Sequence, residues 1–186
     1  MDAIDLIRFQ SRQAWAWLNM TVEDINEEQA NWQPPGIANS IAATYAHTII
    51  TADEDFNMVY EQGETLLARG WAERCGLSEM PPPEFGWDWH DWATRVRMDW
   101  AAFRGYAAAV EKCLEGFLRR LTPEALAKPV DMTQWGLGMW TGLNIYMLHG
   151  YDHPKLHGGE IACLKGLQGA PAWTKGWQPD IEPPKA

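Results

Sequence analysis

The stretch His149-Gly150-Tyr151-Asp152-His153-Pro154-Lys155-Leu156-His157-Gly158-Gly159-Glu160 holds three of the chain's five histidines, each four residues from the next. In an α-helix, residues at i and i+4 share a face, one turn apart. Such a helix aims His153 and His157 at a common point. Two imidazoles placed so can hold one metal ion, at roughly 2.0–2.1 Å from each ring nitrogen. A further ligand then has to come from elsewhere in the chain. The spacing alone also admits histidines that pack and hydrogen-bond without an ion. A metalloprotease is excluded: the glutamate of an H-E-x-x-H pair is missing, and Pro154 stands in its place.

The elements that must position these residues read as helices. A last helix is predicted from about Thr141 to Gly166, with Leu143, Tyr146, Met147, Gly150, His153, His157, Ile161 and Leu164 as its inner stripe. Pro154 removes a backbone donor and crowds the carbonyl of Gly150. A kink is therefore expected, or a restart with Asp152 as N-cap and Pro154 in the first turn. At the other end of the chain, residues 2–20 form a first helix. Thr21 or Asp24 can cap a short helical turn over Val22–Gln29, and Asn31–Gly36 is rich in turn residues. A second long helix runs from about Ile41 to Gln62, capped by Asn39 or Ser40. His47 sits near its start, where a lone histidine is ordinarily a packed or surface residue. Glu54 shares the face of His47 but lies about 10 Å further along the axis, too far to share an ion with it.

Residues 63–90 form a long irregular connection broken by Gly63, Gly70, Gly76, Pro81–Pro83 and Gly86. It carries Trp71, Phe85, Trp87 and Trp89. Two readings stand side by side, a cover over the mouth of a site and a surface loop packed by its own aromatics. His90 is expected on the surface or at a cap. The clearest helix spans 91–121, with an apolar stripe from Trp92 to Leu118 that Asp99 interrupts. Asp99 is expected at the stripe's edge, hydrogen-bonded or wet. Thr122 and Pro123 suit the cap and first position of a short turn, and residues 127–140 connect without a strand. Four long helices with apolar stripes and no repeat predict an all-α four-helix bundle, over residues 1–169, followed by a tail at 170–186.

Composition bounds the function. The 186 residues fit one domain, 46% of them hydrophobic, with a net charge of −10 and a sequence pI near 4.9. That acidity argues against nucleic acid and against anionic membranes as partners. No apolar run reaches the roughly 20 residues of a membrane span. The acidic start Met1-Asp2-Ala3-Ile4-Asp5 lacks the pattern of a signal peptide, so a cytoplasmic protein is expected. Cys75, Cys113 and Cys163 are widely spaced, without a CxxC pair, and are read as reduced thiols. Cys163 faces away from the histidine stripe. Twelve tryptophans are many for this length. They serve packing, or wall a pocket.

The segments Trp32-Gln33-Pro34-Pro35-Gly36, Asn39-Ser40-Ile41 and His47 resemble the first half of the DinB/YfiT family signature. His153-xxx-His157-Gly158-Gly159-Glu160-Ile161, followed by Leu164 and Gly166, is similar to that family's closing helix. The likeness covers residues 1–168 in helix order and is weak over 63–90. It implies an up-down-down-up bundle and a three-histidine metal site, with His47 as the second-helix ligand and His153 and His157 as the pair on the last helix. His149 lies outside the motif and is expected to line the pocket or support the ligands. Three neutral imidazoles suit Zn²⁺ or Ni²⁺ first, and also Fe or Mn. Three protein ligands leave positions for water or substrate.

Family members include transferases and isomerases that use low-molecular-weight thiols such as bacillithiol and mycothiol. The resemblance thus implies a metal-dependent thiol S-transferase or related hydrolase acting on a small-molecule substrate, and a homodimer. The alternative is a non-catalytic metal-binding or stress-related dimer that binds small molecules. No catalytic base is defined by spacing. Glu160 is read as a solvated neighbour of the site rather than as a base, and no organic-cofactor motif is present.

Overall fold

The computed structural model describes residues 2–82 and 87–173. The predicted tail therefore lies largely outside the described residues, as does Phe85. The chain is mostly helical. Helix α1 spans Ala3–Val22, opened by a capping box in which Asp2 and Asp5 each accept from the other's backbone N–H. Asn26 caps the short α2, Glu27–Asn31, two residues beyond Asp24 and five beyond Thr21, the two predicted caps. Ser40 caps α3, Ile41–Asp53, by accepting from the Ala43 N–H. Every residue of α3 except His47 is buried, so this helix runs through the centre of the fold. Burying an Ile or Tyr side chain there contributes about 1.5–3 kcal/mol.

The second helix does not stay α-helical to Gln62. From Glu54 to Tyr60 it continues as a widened π-helical turn. Asp53 explains part of this. Its buried carboxylate accepts from the amides of Leu66 and Leu67, from Asn57 Nδ2 and from the Tyr106 hydroxyl, at 2.7–3.2 Å. It thereby folds the chain back on the helix and seeds a second wide turn at Leu67–Trp71.

The single helix expected over 91–121 is two helices, α4 (Trp87–Arg95) and α5 (Trp100–Arg119). Asp99 caps α5 through the Ala102 N–H, which is why a carboxylate interrupts the apolar stripe. The backbone freed at the break is fully engaged. Asn31 pairs with both the N–H and the C=O of Met98, Ser78 bonds Arg97, and the Asp99 N–H donates to the Gly76 carbonyl. Gly76 has φ +78°, and a Cβ there would sit 2.9 Å from the Cβ of Asp99, so only glycine lets the two segments meet this closely.

Thr122 caps α6, Pro123–Ala127, as expected. A small antiparallel hairpin then corrects the strand-free reading of 127–140. Strand β1 (Pro129–Asp131) pairs with β2 (Met139–Thr141), in the register Val130 opposite Trp140. A 3₁₀ turn at Thr133–Trp135 forms its tip, held by Asp131 accepting from Thr133.

The last helix also departs from a single rod. Helix α7 (Gly142–Met147) passes into a π-helical turn at Leu148–Asp152 and then α8 (His153–Leu167). Pro154 lies in the first turn of α8, but Asp152 makes no capping bond and keeps helical dihedrals, so the backbone runs on through the wide turn rather than restarting. Leu143, expected on the inner stripe, is exposed. Helix α1 packs along α8 and its wide turn, while α3 packs on α8 and α5.

Candidate metal centre

Two elements carry the candidate ligands. His47 is the one residue of α3 that is not buried in the core. His153 and His157 occupy the first two turns of α8, where Pro154 leaves their one-turn separation intact. The ring centres lie 5.2 Å (47–153), 5.0 Å (47–157) and 4.7 Å (153–157) apart. One ring nitrogen from each falls within 4.8 Å of the other two. The helix spacing and the distant third histidine therefore converge on one point.

Hydrogen bonds set which nitrogens are available there. His157 Nδ1 is 2.7 Å from the Glu160 carboxylate. It must be the protonated nitrogen, since a carboxylate only accepts. His157 Nε2 is left as a lone-pair donor, buried and with no hydrogen-bond partner among the described residues. The Thr51 hydroxyl donates to the His47 carbonyl at 2.8 Å, so its oxygen is free to accept from His153 Nδ1, 3.4 Å away. Carboxylate and hydroxyl partners of this kind orient histidine ligands and raise their basicity.

The electrostatics agree. Burial first, then the neighbouring His157 and His149, pushes His47 down to about 4. Burial and the other three histidines hold His153 far below its ordinary value. Both rings are therefore neutral at pH 7, the form that ligates a metal. An orphaned buried nitrogen, neutral rings and oriented tautomers make the donor set a fit for a divalent ion.

His149 is not a member of this triad. Its Nε2 lies 2.7 Å from Asp55 Oδ2, and both residues are buried. The widened turn between His149 and His153 shifts the helical register by one residue. His149 thus faces Asp55, although its ring still touches that of His153, centres 4.7 Å apart. Trp89 from α4 meets His47 edge-on at 5.5 Å. One tryptophan of the 63–90 region therefore does reach the site, but from a helix; Trp71 packs on Tyr106 instead. His90 is exposed, as expected.

A cavity of about 170 Å³ opens beside the cluster. Its polar lining includes His47, Thr51, Glu54, Asp55, His149 and His153, and its apolar wall comes from Met132, Trp135, Leu137 and Leu148. Asp55 is the residue that spacing overlooked, and Glu54, weighed only as a co-ligand of His47 and set aside, lines the cavity instead. The signal was present in the run Asp53-Glu54-Asp55, three acids on a helix that otherwise carries no Asp, Glu, Lys or Arg between Ile41 and Tyr60. Burial, with Asp55 and Asp53 beside it, raises the Glu54 carboxyl to about 7.

A helical protein with three converging histidines beside an apolar cavity is the class that fold and site define. The chain belongs to the DinB superfamily, whose sequence profile matches residues 10–161. It is also similar to the crystal structure of a conserved protein from Enterococcus faecalis, with a TM-score of 0.73 and 19% identity, over 90% of this chain and 97% of that one. None of the curated proteins matches the chain.

Proposed function

We propose that His47, His153 and His157 hold a divalent metal ion, Zn²⁺ or Ni²⁺ before Fe or Mn, and that the site acts on a small molecule in the adjoining cavity. The observation that carries this reading is the buried Nε2 of His157. It is turned inward by Glu160 and has no partner among the described residues, next to the neutral imidazoles of His47 and His153. An ion bound there supplies Lewis acidity, lowering the pKa of a bound water or thiol. The chain's own part is to orient the three rings through Glu160 and Thr51, and to keep bulk water away from one side with Trp135 and Leu148. The chemistry we favour is thiol-dependent S-transfer or a related hydrolysis, in a cytoplasmic homodimer whose helices α1, α3, α5 and α7–α8 run up-down-down-up within residues 1–169.

The test is elemental analysis of the purified protein. One divalent ion per chain is expected, falling below a tenth of that in His47→Ala and His157→Ala. Metal-free protein whose stability is unchanged by both substitutions would sink the reading. Given a metal, conjugation of an electrophile to a low-molecular-weight thiol should be metal-dependent and lost in the same variants.

A further inference from the structure

The cavity beside the histidines has a chemical bias that its metal-binding neighbours do not explain. Glu54 and Asp55 are its acidic residues, and among the described residues that line it none is lysine or arginine. Asp55 is already engaged with His149, whereas Glu54 has no hydrogen bond or ion pair to any described residue that accounts for its carboxylate. His149 Nδ1, the ring nitrogen turned away from Asp55, is buried with no partner among the described residues. Thr51 has spent its proton on the His47 carbonyl. Among the described side chains that line the cavity outside the histidine cluster, Trp135 alone still carries an unspent donor N–H. Without an ion on the histidines, a ligand carrying carboxylates or phosphates finds no counter-charge among the described residues of this lining, and a buried unpaired anion is costly.

The opposite wall is apolar, formed by Met132, Trp135, Leu137 and Leu148. A volume of about 170 Å³ resembles the roughly 150 Å³ that accommodates one benzene ring. We propose that this cavity selects small ligands that pair an apolar or aromatic body with a cationic nitrogen, the cation lying against Glu54 and the body against the Trp135–Leu148 wall. Trp135 suits both parts, since an indole face attracts cations as well as apolar groups. The inference depends on the metal reading only for the claim that the bound molecule is a substrate; ligand selection by Glu54 stands without an ion.

The test uses the full chain, metal-free and zinc-loaded, with probes whose nitrogen cannot ligate a metal. Phenyltrimethylammonium is titrated beside benzyl alcohol as neutral counterpart and, on metal-free protein, phenylacetate as anion. At about pH 8, where Glu54 is largely ionised, the cation is expected to bind most tightly and the anion most weakly. Glu54→Gln should weaken the cation by about tenfold and leave benzyl alcohol unchanged. Leu137→Lys, at an exposed position on the hairpin, should weaken the cation more than the alcohol without disturbing the fold. Equal affinity for all three probes, no binding by any of them, or a cation insensitive to both substitutions would overturn the proposal. Purified protein that carries no metal, is unchanged in stability by His47→Ala and His157→Ala, and still shows this preference would instead refute the metal reading alone.

Discussion

His149 Nε2 lies 2.7 Å from Asp55 Oδ2, and each of these residues sits in a widened turn of its own helix. The two wide turns thus meet through a buried hydrogen bond next to the ligand cluster. Removing one partner leaves the other unsatisfied in a site that excludes water. Asp55→Ala is expected to lower the stability of the metal-free protein by about 2–4 kcal/mol, and Asp55→Asn by about half as much. Urea unfolding measures both, and a loss below about 0.5 kcal/mol in the alanine variant would show that the pair does not hold the turns together.

The neutral histidines make the protein sensitive to acid. His47 is held at about 4 and His153 lower still, whereas in the unfolded chain both take up protons near 6.5. Between those values the unfolded state binds more protons, so stability falls as pH drops from about 6.5 toward 4. Partial exposure of the rings screens the effect, and about 1–3 kcal/mol in total is expected. His47→Gln should flatten the decline. Urea midpoints across that range check it, and a midpoint that stays constant from about pH 7 to about pH 5 would refute it.

Glu160 is largely exposed and bonds the far nitrogen of His157. Its removal should therefore leave the fold alone and act on the ion. Glu160→Ala is expected to change the stability of the metal-free protein by less than about 0.5 kcal/mol and to weaken metal binding by about 10- to 100-fold. Competition against a chromophoric chelator gives the affinity. Unaltered affinity would mean that His157 needs no orientation.

Asp53 is the opposite case, buried and bonded to Tyr106, Asn57 and two backbone amides. Asp53→Asn presents an amide donor to groups that are already donors. A loss of about 2–4 kcal/mol is expected, against about 1–2 kcal/mol for Tyr106→Phe, which removes one bond only. Thermal and urea unfolding of both variants decide the order. A Tyr106→Phe loss equal to that of Asp53→Asn would place the whole effect in one hydrogen bond.

Much of the site could be read from residue types, though not all for the same reason. His153 and His157 announce themselves because helical spacing is local. His47 lies more than a hundred residues away, and only the resemblance to a family pattern connected it to them. Caps such as Ser40 and Thr122 were visible because their chemistry is local too. The wide turn at Glu54–Tyr60 was not, since it arises from a tertiary demand, Asp53 drawing in Leu66 and Leu67; Pro154 did signal an irregularity, though as a kink or restart rather than as the wide turn at Leu148–Asp152. Asp99 did signal the break before α5, but a carboxylate within an apolar stripe reads equally as an edge residue until Asn31 and Ser78 are seen filling the gap. The hairpin at 129–141 escaped because its strands are three residues each, too short for an alternating pattern.

Gly142, at the start of α7, has a consequence for the cavity as a machined part. A Cβ there would lie 2.1 Å from the carbonyl oxygen of Ala125, so the hairpin is clamped between α6 and α7 at both of its ends with no tolerance for even one methyl group. The loop carrying Met132, Trp135 and Leu137 is therefore not an independent flap but an extension of a rigid bracket. Ligand choice can change by swapping side chains at the bracket's tip, while its mounting on α6 depends on a glycine outside the cavity lining.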